Sequence, residues 1–277
     1  MKRKTWLLIF FSIFTVKLFC NESVIKDFSV GINVGLNLGA YKESTCSVVT
    51  QKILAPKIGL DFKIKTEDFL HIVQMEYSFI NPISNQTKQK LIYKEYDPIT
   101  GEPYISEYES NLVMHRINFA YDMQYLINKG AATPVYVGGS FQTNAYLQFE
   151  NYPSITGLIS LGPSVSGINK FGNRNTINWY GTIPVFGYGI RPPFAGCDAL
   201  LMKYAEEDPL KIITLGSFLS LHNYQAIFTN IEYFFDVNSW LQLSAGLDFE
   251  YSRIAVPEAR PLYYCTGNIK AGAQVSF

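Results

Sequence analysis

The feature that most narrows the possible folds is a two-residue alternation that returns along the chain from Phe28 to the last residue, Phe277. In the first segment Phe28, Val30, Ile32, Val34, Leu36 and Leu38 alternate with Ser29, Gly31, Asn33, Gly35, Asn37 and Gly39. Successive side chains of an extended strand point to opposite faces, so one face is wholly apolar and the other small or polar. The rhythm recurs as Ile58, Leu60, Phe62 and Ile64 against Lys57, Gly59, Asp61 and Lys63, and as Val73, Met75, Tyr77 and Phe79 against Gln74, Glu76 and Ser78. It returns at 112–127, 134–149, 224–235 and 240–254, and closes the chain as Ile269, Ala271, Ala273, Val275 and Phe277 against Asn268, Lys270, Gly272, Gln274 and Ser276. Segments 154–168 and 173–190 alternate less regularly. Eight to ten strands follow, with ten the preferred count.

The connections also alternate. Sharp turns follow Ile64, Ile127 and Phe235, whereas long polar stretches lie near 81–110 and 191–222. The first of these holds the turn signals Asp97-Pro98 and Gly101-Glu102-Pro103. Short turns at one end and long loops at the other describe an up-and-down barrel. A secreted β-sandwich is the competing soluble fold, but nothing in it requires connections to alternate this way. An apolar face turned toward lipid excludes an open sheet edge, because each unpaired backbone group there costs several kcal/mol. The expected fold is therefore all-β: a closed antiparallel transmembrane β-barrel with the strand at 28–40 paired to that at 264–277.

Composition agrees. Charged residues are only 17 %, below the globular average of about 25 %. Aromatic residues reach 15 %, with 19 Tyr and 20 Phe, enough for the girdles that flank a barrel's apolar band. Basic and acidic residues balance at 23 each, which gives no reason to expect a nucleic-acid partner. At the N-terminus, Lys2, Arg3 and Lys4 precede an apolar run from Trp6 to Val16, too short for a membrane span. Residues 1–20 thus read as a cleaved signal peptide, with lipidation at Cys20 the alternative, and residues 21–277 as the barrel.

This combination of an export signal, dyad-alternating strands and the ending Ala271-Gly272-Ala273-Gln274-Val275-Ser276-Phe277 resembles small bacterial outer-membrane β-barrels of the OmpA/OmpW-like kind. The resemblance is architectural and covers the mature chain. It implies outer-membrane lipid as surroundings, and Phe277 as the insertion signal read by the barrel-assembly machinery. It also implies passive passage of small or hydrophobic solutes. Two alternatives are a surface interaction protein or adhesin on a plugged barrel, binding an extracellular ligand through its loops, and an outer-membrane hydrolase.

The inner face is expected to carry Lys57, Asp61, Gln74, Glu76, Arg116, Asp122, Glu232, Asp248, Glu250 and Lys270. Charges in a narrow lumen need partners, so these form a network, with Lys270 facing Asp248 or Glu250. Either a selective channel or a plugged lumen results. Of the cysteines left after export, Cys46 follows the first strand and Cys265 begins the last. Closure brings those ends together, so a Cys46–Cys265 disulfide at the rim is expected, with Cys197 free or paired to Cys46 instead. No zinc-type Cys/His spacing appears, no cofactor is implied, and no catalytic residue is assigned. His71 and His115 fall on the outward parity; His222 lies near a strand end without an Asp-x-His pattern. Tyr93, Tyr96, Tyr104 and Tyr108 stand among charges in a long loop, a composition suited to protein recognition.

Overall fold

The computed structural model describes residues 25–44, 50–81, 90–96, 100–109, 113–148, 154–191, 203–204, 207–256 and 261–277. The signal segment 1–20, Cys46 and Cys197 lie outside these residues. Fourteen strands follow in order: β1 (Ile25–Glu43), β2 (Gln51–Thr66), β3 (Phe69–Ile80), β4 (Lys90–Tyr96), β5 (Pro103–Glu109), β6 (Met114–Leu126) and β7 (Val135–Gln148). They continue as β8 (Ser154–Phe171), β9 (Asn175–Thr182), β10 (Phe186–Ile190), β11 (Ser217–Ser220), β12 (Tyr224–Asp236), β13 (Leu241–Ile254) and β14 (Leu262–Ser276).

Ten of them close an antiparallel ring, β1-β2-β3-β6-β7-β8-β9-β12-β13-β14. Closure is made where the ends of the chain meet: β1 pairs with β14 from Ser29 opposite Ser276 to Glu43 opposite Leu262. Phe277 seals the joint, donating its N–H to the Phe28 carbonyl (2.8 Å) and stacking on the Phe28 ring at 5.9 Å. Turns of a few residues join β2 to β3, β8 to β9 and β12 to β13 at this end. Gly172, at φ +61°, makes the β8–β9 turn in a conformation that side-chain-bearing residues rarely adopt. Lys129 and Asp68, from two neighbouring turns, form an ion pair at 2.5 Å. Its hydrogen bond to Asp68 raises the ammonium above its ordinary pKa.

The less regular middle of the sequence resolves into the continuous strand β8 and, opposite it, one interrupted strand made of β9 and β10. β8 pairs with β9 from Ser164 opposite Thr182 and with β10 from Leu161 opposite Phe186. One extra residue is thus accommodated around Pro163 and Pro184, neither of which has an N–H for the ladder. The ladder resumes through Ile183 N–H to Pro163 O (3.3 Å) and Val185 N–H to Leu161 O (2.9 Å). β10 and β11 extend the sheet past the ring at the long-loop end. The stretch near 81–110 is likewise more than loop: β4 and β5 pair into a separate hairpin about Gly101, at φ +71°.

Outward faces are apolar across the middle of the ring strands on most of the circumference. Ile32, Val34, Leu60, Met75, Ile117, Ile159, Ile231, Leu247 and Ile269 are all 40 % or more exposed. Burial of polar groups is inverted to match, with Asn33, Asn37, Arg116, Asp122, Gln124, Ser160 and Lys270 all inside. An apolar exterior around a polar interior, with the ten-stranded ring closed on itself, is the arrangement that hydrocarbon permits.

Candidate functional site: the filled lumen

Each charged position expected on the inner face sits on the inward parity of its strand, and most converge in one layer. Lys57 of β2 contacts Glu76 of β3 (2.5 Å) and Asp248 of β13 (3.0 Å). Lys270 of β14 lies 3.1 Å from Asp248 and 3.8 Å from Glu232 of β12. Asp248 also accepts from Asn230 (2.5 Å) and Asn268 (2.7 Å), and Asp61 from Asn33 (2.7 Å) and Gln74 (3.1 Å). Asn118 donates to Glu76 at 3.2 Å. Carboxylates that accept several donors while paired with a cation meet the condition under which buried charge is tolerated.

Glycines make this layer sterically feasible. Lys57 stands opposite Gly35, Asp61 opposite Gly31, and Glu76 opposite Gly59. Lys270 stands opposite both Gly35 and Gly246, and Glu232 opposite Gly246. Lys57 reaches Asp248 across two intervening strands, β1 and β14.

Toward the long loops the lumen is spanned completely. Arg116 on β6 donates to Glu250 on β13 at 2.7 Å, and these strands lie five apart in a ring of ten, on opposite walls. Arg116 also donates to Asn144 (2.8 Å) and lies over the rings of Tyr264 (5.0 Å) and Tyr146 (5.7 Å). Tyr146 and Tyr264, again on opposite walls, meet edge to face at 5.9 Å. Above them Tyr41, Ile53, Ile80, Leu158, Leu219, Tyr224, Ile254 and Leu262 form an apolar core inside the barrel. A smaller cluster, Leu70, Ile72 and Tyr136, occupies the short-turn end.

These inward aromatic and aliphatic residues are what sequence reading missed. The signal was available: at Ile53-Leu54-Ala55 and Leu262-Tyr263-Tyr264 both parities are apolar, so the alternation lapses where the lumen is filled.

Other expected positions fall elsewhere. Cys265 does not begin β14 at the rim; it lies within the strand, opposite Ala40 and Tyr251, with a free thiol on the outer surface. Its proposed partner Cys46 lies outside the described residues. His71 and His115 face outward and bond Tyr121 (3.0 Å) and Tyr77 (2.7 Å). His222 contacts Ser220 Oγ at 2.6 Å, and among the described residues no carboxylate reaches it. The described residues include no group of three or more His, Cys, Asp or Glu placed to hold a metal.

An apolar belt, a ten-stranded closed ring and a polar, side-chain-filled interior together define an outer-membrane-type β-barrel. No protein-family profile matches the chain, and no curated protein does. Among solved structures, the outer membrane protease OmpT from Escherichia coli superposes with a TM-score of 0.51 at 7 % identity, over 91 % of this chain and 95 % of that one. The translocator domain of the autotransporter NalP from Neisseria meningitidis aligns at 0.40 and 10 % identity, over 96 % and 92 %. Neisserial surface protein A aligns at 0.36 and 11 %, over 90 % and 97 %. At such identities the likeness concerns the fold alone.

Proposed function

We propose that the protein is an integral outer-membrane barrel whose lumen is a structural core rather than a conduit, and whose long-loop end serves as a surface interaction platform. The observation that carries this reading is the Arg116–Glu250 contact between opposite walls, with Tyr146 and Tyr264 packed against it. A barrel closed by its own side chains is a stiff support, and loops held on a stiff support carry recognition. The β4–β5 hairpin, which stands outside the ring, is the element best placed to meet an extracellular ligand. Outer-membrane lipid covers the belt, and the assembly machinery reads the Phe277 end.

Planar-bilayer recordings of the folded protein test the closed lumen. The expected record is a silent membrane without stable conductance steps; large, long-lived open states would reject the reading in favour of solute passage. Lipid exposure of the belt is tested separately at Cys265. After reduction, an environment-sensitive fluorophore on this thiol is expected to emit as in an apolar medium and to be quenched by brominated acyl chains. Quenching only by aqueous iodide would contradict it.

A further inference from the structure

One carboxylate of the lumen stands apart from the network. Asp122 on β6 is fully buried, and among the described residues no lysine or arginine pairs with it. Its Oδ1 accepts from the Tyr180 hydroxyl of β9 at 2.8 Å, and Oδ2 has no hydrogen-bond partner. The hydroxyls of Ser140 of β7 and Ser164 of β8 stand at the carboxylate, Ser164 Oγ also accepting from Gln124 Nε2 at 2.9 Å, while Oδ2 itself is left without a hydrogen bond. Four consecutive strands therefore each bring one oxygen-bearing side chain to the same place.

The groups next to it are also acceptors that lack donors. Gln142, the next inward residue after Ser140, has a buried Oε1 without a partner, and so does Oδ1 of Asn178, the inward residue before Tyr180. Lys57 and Lys270 across the lumen, and Arg116 farther along β6, are committed to Glu76, Asp248, Glu232 and Glu250. An isolated buried charge costs many kcal/mol unless it is neutralised, and here oxygen acceptors surround it.

We propose that Asp122, with Ser140, Ser164 and Tyr180, forms a binding site for a small monovalent cation of the sodium class. One carboxylate and several hydroxyl or amide oxygens suit a hard, singly charged ion. Calcium is bound by six to eight oxygens, usually with more than one carboxylate among them, and transition metals favour nitrogen or sulfur donors. A hydroxyl oxygen has two lone pairs, so Ser140 is able to turn one toward such an ion, and Ser164 keeps one besides that which accepts from Gln124. The cation would complete the charge balance of the lumen wall at β6–β9 as the lysines do at β2 and β14.

The test is thermal unfolding of the detergent-folded full mature chain, followed by gel mobility with and without heating. Sodium chloride is compared with N-methylglucamine chloride at equal ionic strength. Sodium is expected to raise the midpoint saturably, by roughly 5 °C at a hundredfold excess over its dissociation constant. Asp122→Asn is expected to fold and to lose the cation dependence. Should that variant fail to fold, Ser140→Ala and Tyr180→Phe are expected to weaken the sodium effect at least threefold. A midpoint indifferent to cation identity in the wild type would overturn the proposal, as would an unchanged sodium response in a folded Asp122→Asn variant.

Discussion

Arg116→Ala is expected to destabilise the barrel by about 3–5 kcal/mol, because it leaves Glu250 buried without its cation. The side chains of Arg116 and Glu250 are only 3 % and 11 % exposed, so little water is available to take over. The same substitution removes the guanidinium that lies over Tyr146 and Tyr264, leaving those rings beside a void. Urea unfolding in detergent or lipid vesicles measures the loss. Removal of both charges is expected to behave differently: Arg116→Leu combined with Glu250→Leu should recover most of the stability, since buried pairs are often replaceable by well-packed apolar side chains. A double variant as unstable as the single one would show that the network, and not the unpaired carboxylate, sets the cost.

The second large effect is expected at a residue with no side chain. In Gly35→Leu, the new Cβ would lie 2.5 Å from Oδ1 of Asn268 and 2.9 Å from the Ile269 carbonyl. It would also displace Asn268, which donates to Asp248, and Asp248 is the carboxylate that pairs with Lys57. Overpacking costs typically 1–3 kcal/mol, and loss of the Asn268 donor adds the cost of a buried carboxylate left with fewer hydrogen bonds. Loss of the heat-modifiable folded form is the expected readout. Gly139→Ala is the control, because a Cβ at that outward position meets nothing within 4 Å. It should fold normally; equal damage at both sites would point to strand flexibility rather than lumen packing.

The wall of this barrel was legible in the sequence because it depends on a local rule. Alternation of Ile32, Val34 and Leu36 with Asn33, Gly35 and Asn37 assigns each residue to a face without knowledge of any other strand. The closure of β1 on β14 followed from the cost of an open edge in lipid, again without a contact map. The interior was less legible. Parity places Arg116 and Glu250 inside, but their meeting depends on lying five strands apart in a ring whose count includes the interrupted segment at 175–190. Cys265 illustrates the same limit. Its parity points outward, yet a rim position was expected because strand ends are set by where pairing stops.

What the amino-acid order determined by itself is therefore the sheet: its faces, its approximate number of strands, the end on which the long loops lie, and the need for the ends of the chain to pair. The tertiary structure alone decided what fills the ring. Lumen contacts join residues as much as 211 positions apart, as Lys63 and Gln274 are, and their geometry comes from strand register and ring size, quantities that no local pattern encodes.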